Sequence, residues 1–373
     1  MLVKSRSLVN GFAIFSMFFG AGNVIFPLIV GAYTQDRLLF ALLGLGITAV
    51  LVPFTGLFSM TLFDGDYQRF FRRIGKWPGL LLMYLVLLLI GPFGGIPRCI
   101  TLTFSTVKTY LPKIQLIWFS IGSILLIFIC SFKKQKIVSL LGKLLTPILL
   151  LFLGIIIIKG LFFSHPHPHA SSLSQPQAFF YGLKEGYNTM DLLAAFFFSS
   201  IICHQIKGDL KFKGETGLKI YFKKVLKALS IGAFLLSITY IGFSFLASFY
   251  ADSLDASRPD EWLSSLGLLI LGPKGGLTIS MVVALSCLTT SIALAAICGE
   301  FLYESLFKKK ISYPLCLVII LFFSFWMSTL GFVGIVKALA SILEICYPLL
   351  LGLTVLNSIH RALQLRRNPI LEQ

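Results

Sequence analysis

Charge is what this chain has least of. Asp, Glu, Lys and Arg together make up 13% of 373 residues, against roughly 25% in ordinary soluble domains. Acidic residues are scarcest, 15 against 32 Lys and Arg, which leaves a formal net charge of +17. Apolar residues fill 57% of the chain and the mean hydropathy is +0.89. A water-facing globule cannot hide that much apolar surface, and a disordered segment would not contain it. Metal and redox patterns are missing too. Cys99, Cys130, Cys203, Cys287, Cys298, Cys316 and Cys346 lie inside or beside apolar runs, and no CxxC occurs. Each reads as a small buried hydrophobe, which excludes a disulfide framework, a zinc site and a redox pair. No Walker loop, nucleophile elbow or HExxH is present, so nothing supports nucleotide hydrolysis or proteolysis, and the chain reads as a non-enzyme with no cofactor.

What is present is a series of long apolar runs. A spanning helix needs about 20 mostly apolar residues. Ten segments meet that requirement: Asn10–Tyr33, Leu38–Phe63, Pro78–Val107, Ile114–Cys130, Ile137–Phe163, Phe179–Ile206, Val225–Tyr250, Gly276–Phe307, Ile311–Leu330 and Gly334–Leu356. The runs are continuous and Leu-rich, unlike the alternating segments of about ten residues in a membrane barrel. An all-α polytopic membrane protein is expected, one transmembrane domain over 1–373. The first apolar run extends to about Val30, longer than a cleaved signal core of about 7–15 residues, so it reads as a retained span.

The positive charges orient the chain. With the N-terminus inside, the inner segments carry 22 Lys and Arg, among them Arg69, Arg72, Arg73, the Lys207–Lys227 cluster, Lys308, Lys309 and Lys310, and the outer segments carry 5. That asymmetry places both termini in the cytoplasm and accounts for the basic balance without nucleic acid. The outer connection Ser164–Gln177 holds His165, His167 and His169 alternating with Pro166 and Pro168. It reads as a stiff, solvated connector, since no acidic or thiol ligand stands near it for a metal.

Ten spans divide into two halves of five, approximately 10–163 and 179–356, with a cytoplasmic tail over 357–373. An odd number of spans per half makes any repeat inverted across the membrane. The first span of each half is interrupted by glycine and polar residues, Phe19-Gly20-Ala21-Gly22-Asn23 closed by Pro27, and Glu185-Gly186-Tyr187-Asn188-Thr189-Met190-Asp191. Interruptions in corresponding positions point to a transporter built from inverted repeats. Backbone N–H and C=O groups released there need partners inside the bilayer. A zwitterion would supply them, its carboxylate at a helix N-terminus and its ammonium at carbonyls. The plainer alternative is a small-residue packing face.

Other polar residues lie at depth. Asp191 is a carboxylate inside span six, a costly placement that implies a cavity or a partner. It would pair with Arg98, bind a cation or carry a proton. Arg98 follows Gly91-Pro92-Phe93-Gly94-Gly95-Ile96-Pro97, a stretch that kinks or unwinds span three, and would gate the pathway or neutralise Asp191. In span eight, Ser286, Thr289 and Thr290 share one helix face, and Cys287, Thr290 and Ser291 share the next. Hard oxygens suit a hard cation such as sodium; the plainer reading is back-bonding to carbonyls one turn earlier. Lys337 and Glu344 stand seven apart in span ten and read as a pair-stabilised packing contact or part of a gate.

Four of these motifs, in order, cover most of the chain: Phe18-Phe19-Gly20-Ala21-Gly22-Asn23-Val24-Ile25-Phe26-Pro27; Gly91-Pro92 through Ile96-Pro97-Arg98; Glu185 through Asp191; and Leu288-Thr289-Thr290-Ser291. They resemble the branched-chain amino acid:cation symporter family of the amino acid–polyamine–organocation superfamily. The resemblance implies the five-plus-five inverted repeat of the leucine-transporter-like fold, with helices 1 and 6 broken. It implies uptake of leucine, isoleucine and valine coupled to sodium, or to protons, across a bacterial inner membrane by alternating access. It assigns the substrate carboxylate to Gly20, Ala21, Gly22 and Asn23, and the amine and side chain to Gly186, Tyr187, Asn188 and Thr189. It assigns the coupling cation to carbonyls of Ser16 and Phe19 with Ser286, Thr289 and Thr290. Carriers of this family usually have twelve spans, whereas ten fit here; the extra two lie outside the transport core. The rivals are a carrier for another amino acid or amine, and a channel-like membrane protein.

Overall fold

The computed structural model describes residues 2–132, 146–163, 169–212 and 217–367, and among these residues the regular structure is entirely helical. The first run is two helices, α1 (Leu2–Phe18) and α2 (Ala21–Thr34), separated at Phe19-Gly20. Next come α3 (Leu38–Gly46) and α4 (Val52–Thr61), joined through one wide turn at Ile47–Leu51, and the short surface helix α5 (Tyr67–Phe71). The third run breaks into α6 (Lys76–Ile90) and α7 (Gly95–Lys108), as its prolines and glycines require. Then follow α8 (Leu116–Ser131), α9 (Thr146–Phe162), α10 (Gln175–Asn188), α11 (Asp191–Phe212) and α12 (Leu218–Phe249). The chain closes with α13 (Trp262–Phe301), α14 (Tyr313–Ser328) and α15 (Gly331–Arg367).

The described parts of all ten expected segments fall on helices, with shifted ends. The helix expected from Gly276 begins at Trp262 and kinks at Gly272, whose φ of 72° only glycine adopts without strain. The last helix continues to Arg367, through much of the segment read as a tail. Residues 137–145 of the fifth segment, and Ser164–Pro168 with His165 and His167, lie outside the described residues; His169 pairs with Asp252 at 2.8 Å on the surface. Among the described residues five stretches are long and apolar enough to cross a membrane: Ala21–Thr61, Lys76–Lys108, Leu218–Phe249, Pro259–Leu306 and Gly331–Arg361. The pair Gln175–Asn188 and Asp191–Leu210, bent by 42°, makes a sixth. Exposed Leu39, Leu43, Trp118, Ile129, Phe162, Ile345 and Leu356 give the bundle an apolar outside, as lipid contact demands.

The packing is reciprocal. The broken pair α1–α2 lies along α12, and the broken pair α10–α11 lies along α3–α4. Each broken pair thus packs along a helix run distant from it in sequence. Glycines set the closeness. A Cβ on Gly31 of α2 would fall 1.9 Å from the Ser244 carbonyl of α12, and one on Gly182 of α10 would fall 1.9 Å from the Ala41 carbonyl of α3. Such backbone-to-backbone approach is how helices gain contact in lipid, where no hydrophobic drive separates them from the solvent.

Phe196 stacks among Phe70 and Phe71 with ring centroids 5.2 and 5.4 Å away, and Tyr67 lies 5.2 Å from Phe197. These rings fill the space between α5 and α11, at the end of the bundle that carries Arg69, Arg72 and Arg73. At the other end Ser257 donates through its N–H and hydroxyl to Asp255, which holds that carboxyl below its usual range.

Candidate binding cavity between the two helix breaks

Both breaks lie against one cavity of about 40 Å³, lined by Gly20, Ala21, Gly22, Asn23, Arg98, Cys99, Thr189, Asp191 and Thr290 among others. The breaks touch directly: a Cβ on Gly22 would stand 2.9 Å from the Thr189 carbonyl oxygen. At the first break the Gly20 N–H donates to Phe18 O at 2.7 Å and to Asn23 Oδ1 at 3.2 Å. Asn23 therefore caps its own helix start. Its Nδ2 donates to Asp191 Oδ2 at 2.6 Å and also contacts the Tyr240 hydroxyl. Tyr240 in turn donates to Asp191 Oδ2 at 2.9 Å. A buried carboxylate is tolerable only when hydrogen-bonded, and here donors from α2 and α12 meet it at the N-terminus of α11, where the helix dipole favours negative charge.

The second break is narrower than the sequence reading had it. Glu185 through Asn188 stay helical, and the chain turns at Thr189-Met190, where Met190 takes φ 65°. Thr189 Oγ1 donates to Gly186 O at 2.9 Å and accepts from the Asp191 N–H at 3.4 Å, holding the turn from both sides. Of the second substrate set only Thr189 lines the cavity. Gly186 packs against α3–α4 instead: a Cβ there would meet Thr48 Oγ1 at 1.9 Å. The Tyr187 ring stacks on Tyr347 at 4.5 Å, and the Asn188 side chain donates to Glu185 at 3.0 Å. Glycine here admits a neighbouring helix and does not break its own.

The expected Arg98–Asp191 ion pair does not form. Arg98 is buried and donates through Nη1 to the Asn188 carbonyl at 2.7 Å, while Asp191 is held by Asn23 and Tyr240. Both charges line the cavity without meeting. The pairing of Lys337 with Glu344 is likewise replaced: Lys184 of α10 holds Glu344 at 2.7 Å, and Lys337 is exposed. Helical spacing put the first two on one face, but the neighbouring helix supplied a nearer cation.

Ser286 Oγ donates to the Phe19 carbonyl at 2.5 Å and Thr290 Oγ1 reaches the same oxygen at 3.4 Å. The hydroxyl face of α13 thus sits on the first break. Ser16, Ser286 and Thr289 line a second, smaller cavity of about 10 Å³, while Thr290 faces the main one. Thr289 also back-bonds to Ser286 O at 2.7 Å. A crevice of about 910 Å³ between α7, α8 and α13 is far larger, but it is walled by Val107, Trp118, Leu126 and other apolar groups, and the charged residues do not converge there.

Tyr240 and Tyr347 were not singled out from the sequence. Tyr347 accepts from the Leu192 N–H at 3.2 Å, at the start of α11. The available signal was a phenol in the middle of an apolar span, whose hydroxyl must find a partner.

The family model described as branched-chain amino acid transport protein matches residues 3–371. The branched-chain amino acid permease BrnQ of Bacillus subtilis (strain 168) is 31% identical over 365 residues, covering 95% of this chain and 81% of the permease. The branched-chain amino acid transport system 3 carrier protein of Pseudomonas aeruginosa is 29% identical over 352 residues, covering 93% of this chain and 79% of the carrier. Among solved structures, MhsT in complex with L-phenylalanine superposes with a TM-score of 0.64 at 15% identity, covering 95% of this chain and 91% of that one. Mhp1, a nucleobase-cation-symport-1 family transporter, superposes with a TM-score of 0.66 at 12% identity, covering 94% and 77%. At those identities the likeness is one of fold, and the fold is that of the leucine transporter.

Proposed function

Because this chain belongs to the branched-chain amino acid transport protein family, we propose that it imports leucine, isoleucine and valine by symport with a cation, sodium in the first instance. The supporting observation is the cavity shared by the two helix breaks, with Gly20, Ala21, Gly22 and Asn23 on one side and Thr189 on the other. Broken helices facing one buried cavity are where such folds bind substrate. The cation site is proposed at the Phe19 carbonyl with Ser16, Ser286, Thr289 and Thr290. Two of those hydroxyls already converge on that carbonyl, and turning them would offer oxygen lone pairs to a hard cation. The Na+-coupled sialic acid symporter, similar in fold with a TM-score of 0.58, is a cation-coupled neighbour of the same architecture.

Transport follows by alternating access, one helix group rocking against the other around a fixed site. Coupling requires that cation and amino acid each bind one state better than the other. Cation binding at Phe19 would order the α1–α2 break and so prepare the substrate face next to it. The membrane is proposed to be a bacterial inner membrane, with both termini cytoplasmic, a reading that the excess of Lys and Arg in alternate connections supports.

The test is radiolabelled leucine uptake into proteoliposomes with and without an inward sodium gradient. Saturable, sodium-dependent uptake competed by isoleucine and valine is expected. Uptake driven by protons alone would remove the sodium assignment and move coupling to Asp191. No uptake under either gradient would overturn the substrate assignment.

A further inference from the structure

Arg98 is nine-tenths or more buried, lines the cavity, and uses one of its three guanidinium nitrogens. Nη1 donates to the Asn188 carbonyl at 2.7 Å, while Nε and Nη2 have no hydrogen-bond partner among the described residues. The Phe26 ring lies 5.8 Å from the guanidinium carbon, so that side of the cation is apolar. Asp191, the opposite charge in the cavity, is already held by Asn23 and Tyr240. A buried guanidinium with free donors beside a cavity is costly unless an anion completes it. The N-terminus of α2, fourteen residues long, brings its own N–H groups to the same cavity.

We propose that Arg98 is the carboxylate receptor of this site, its Nε–Nη2 edge taking the substrate carboxylate while Asp191 faces the ammonium. This rests on the proposed amino-acid transport and adds a specificity residue to it. One cation and one carboxylate that face the same cavity without pairing match a zwitterion, and they leave the buried charge balanced when it binds. The planar guanidinium edge fits a carboxylate with two parallel hydrogen bonds, which a lysine cannot reproduce. A site that leaves these donors unpaired will reject analogues lacking the carboxylate.

The test is equilibrium binding of L-leucine and of leucinol, its carboxylate-free analogue, to the purified full chain in nanodiscs. The wild type is expected to prefer leucine by about a hundredfold, the scale of a buried bidentate charge-assisted pair. Arg98→Gln is expected to lose leucine affinity by a similar factor and keep its leucinol affinity, so that discrimination collapses. Arg98→Lys should fall between the two. Leucinol bound as tightly as leucine by the wild type would overturn the proposal without any variant. So would Arg98→Gln that keeps its preference for leucine, or that loses both ligands equally. A wild type that binds another amino acid, and discriminates its carboxylate through Arg98, overturns only the choice of leucine. One that binds none of the twenty amino acids overturns both readings.

Discussion

The two helix breaks face one cavity but are built differently. The first, at Phe19-Gly20, is held through side chains: Asn23 caps Gly20, and Ser286 and Thr290 take the Phe19 carbonyl. The second, at Thr189-Met190, is held within its own turn, with the Thr189 hydroxyl between the Gly186 carbonyl and the Asp191 N–H, Met190 at φ 65° and Arg98 on the Asn188 carbonyl. A non-glycine residue in that conformation costs about 1–2 kcal/mol and persists only because its surroundings fix it. The first break is therefore open to ligands that compete for the Phe19 carbonyl, whereas the second is closed on its own hydrogen bonds. That division suits a carrier in which a cation orders one half of the site against a preformed other half.

The strongest way to break this comparison is to cut the link between the two halves. Asp191→Leu leaves the Asn23 and Tyr240 donors without their acceptor, at about 1–3 kcal/mol each. Leucine uptake by proteoliposomes is expected to fall at least about a hundredfold, with the protein still monodisperse on size exclusion. Next, the two glycines should separate stability from function. Gly186→Val forces a side chain into Thr48 and is expected to cost about 3 kcal/mol, read as a lowered Tm. Gly20→Ala meets the Thr290 side chain, its Cγ2 nearest at 3.0 Å. It should stay within about 1 kcal/mol in stability while uptake drops about tenfold.

Ser286→Ala removes one hydroxyl from the Phe19 carbonyl. It should raise the half-saturating sodium concentration about tenfold with little change in expression, and an unchanged sodium dependence would remove the cation assignment. The smallest effect is expected far from either break. Ser174 and Gln177 form a capping box at the start of α10, so Ser174→Ala should cost about 1 kcal/mol in thermal unfolding and leave uptake unchanged.

Much of the architecture was legible because lipid imposes a simple rule: long apolar runs become helices. The first break was legible as well, since Gly20 stands at the break itself, while Gly22 lies inside α2 and makes room for the Thr189 carbonyl. The second is narrower than its Glu185–Asp191 motif because Gly186 serves contact with Thr48, and a sequence does not distinguish a glycine that bends from one that admits a neighbour. Arg98 and Asp191 were rightly placed at depth, but opposite signs do not fix geometry. Asn23 and Tyr240 reached the carboxylate first. Tyr240 stayed hidden because its partner lies 49 residues away on another helix.

Thiol labelling of Thr189→Cys in proteoliposomes, read by mass spectrometry on the peptide that carries it, tests most directly whether the cavity between the breaks holds the amino acid. Thr189 lines that cavity, so leucine at about ten times its dissociation constant should slow labelling about tenfold, as occupancy alone requires. A labelling rate unchanged by leucine, in protein shown to bind it, would place the substrate elsewhere and contradict the assignment.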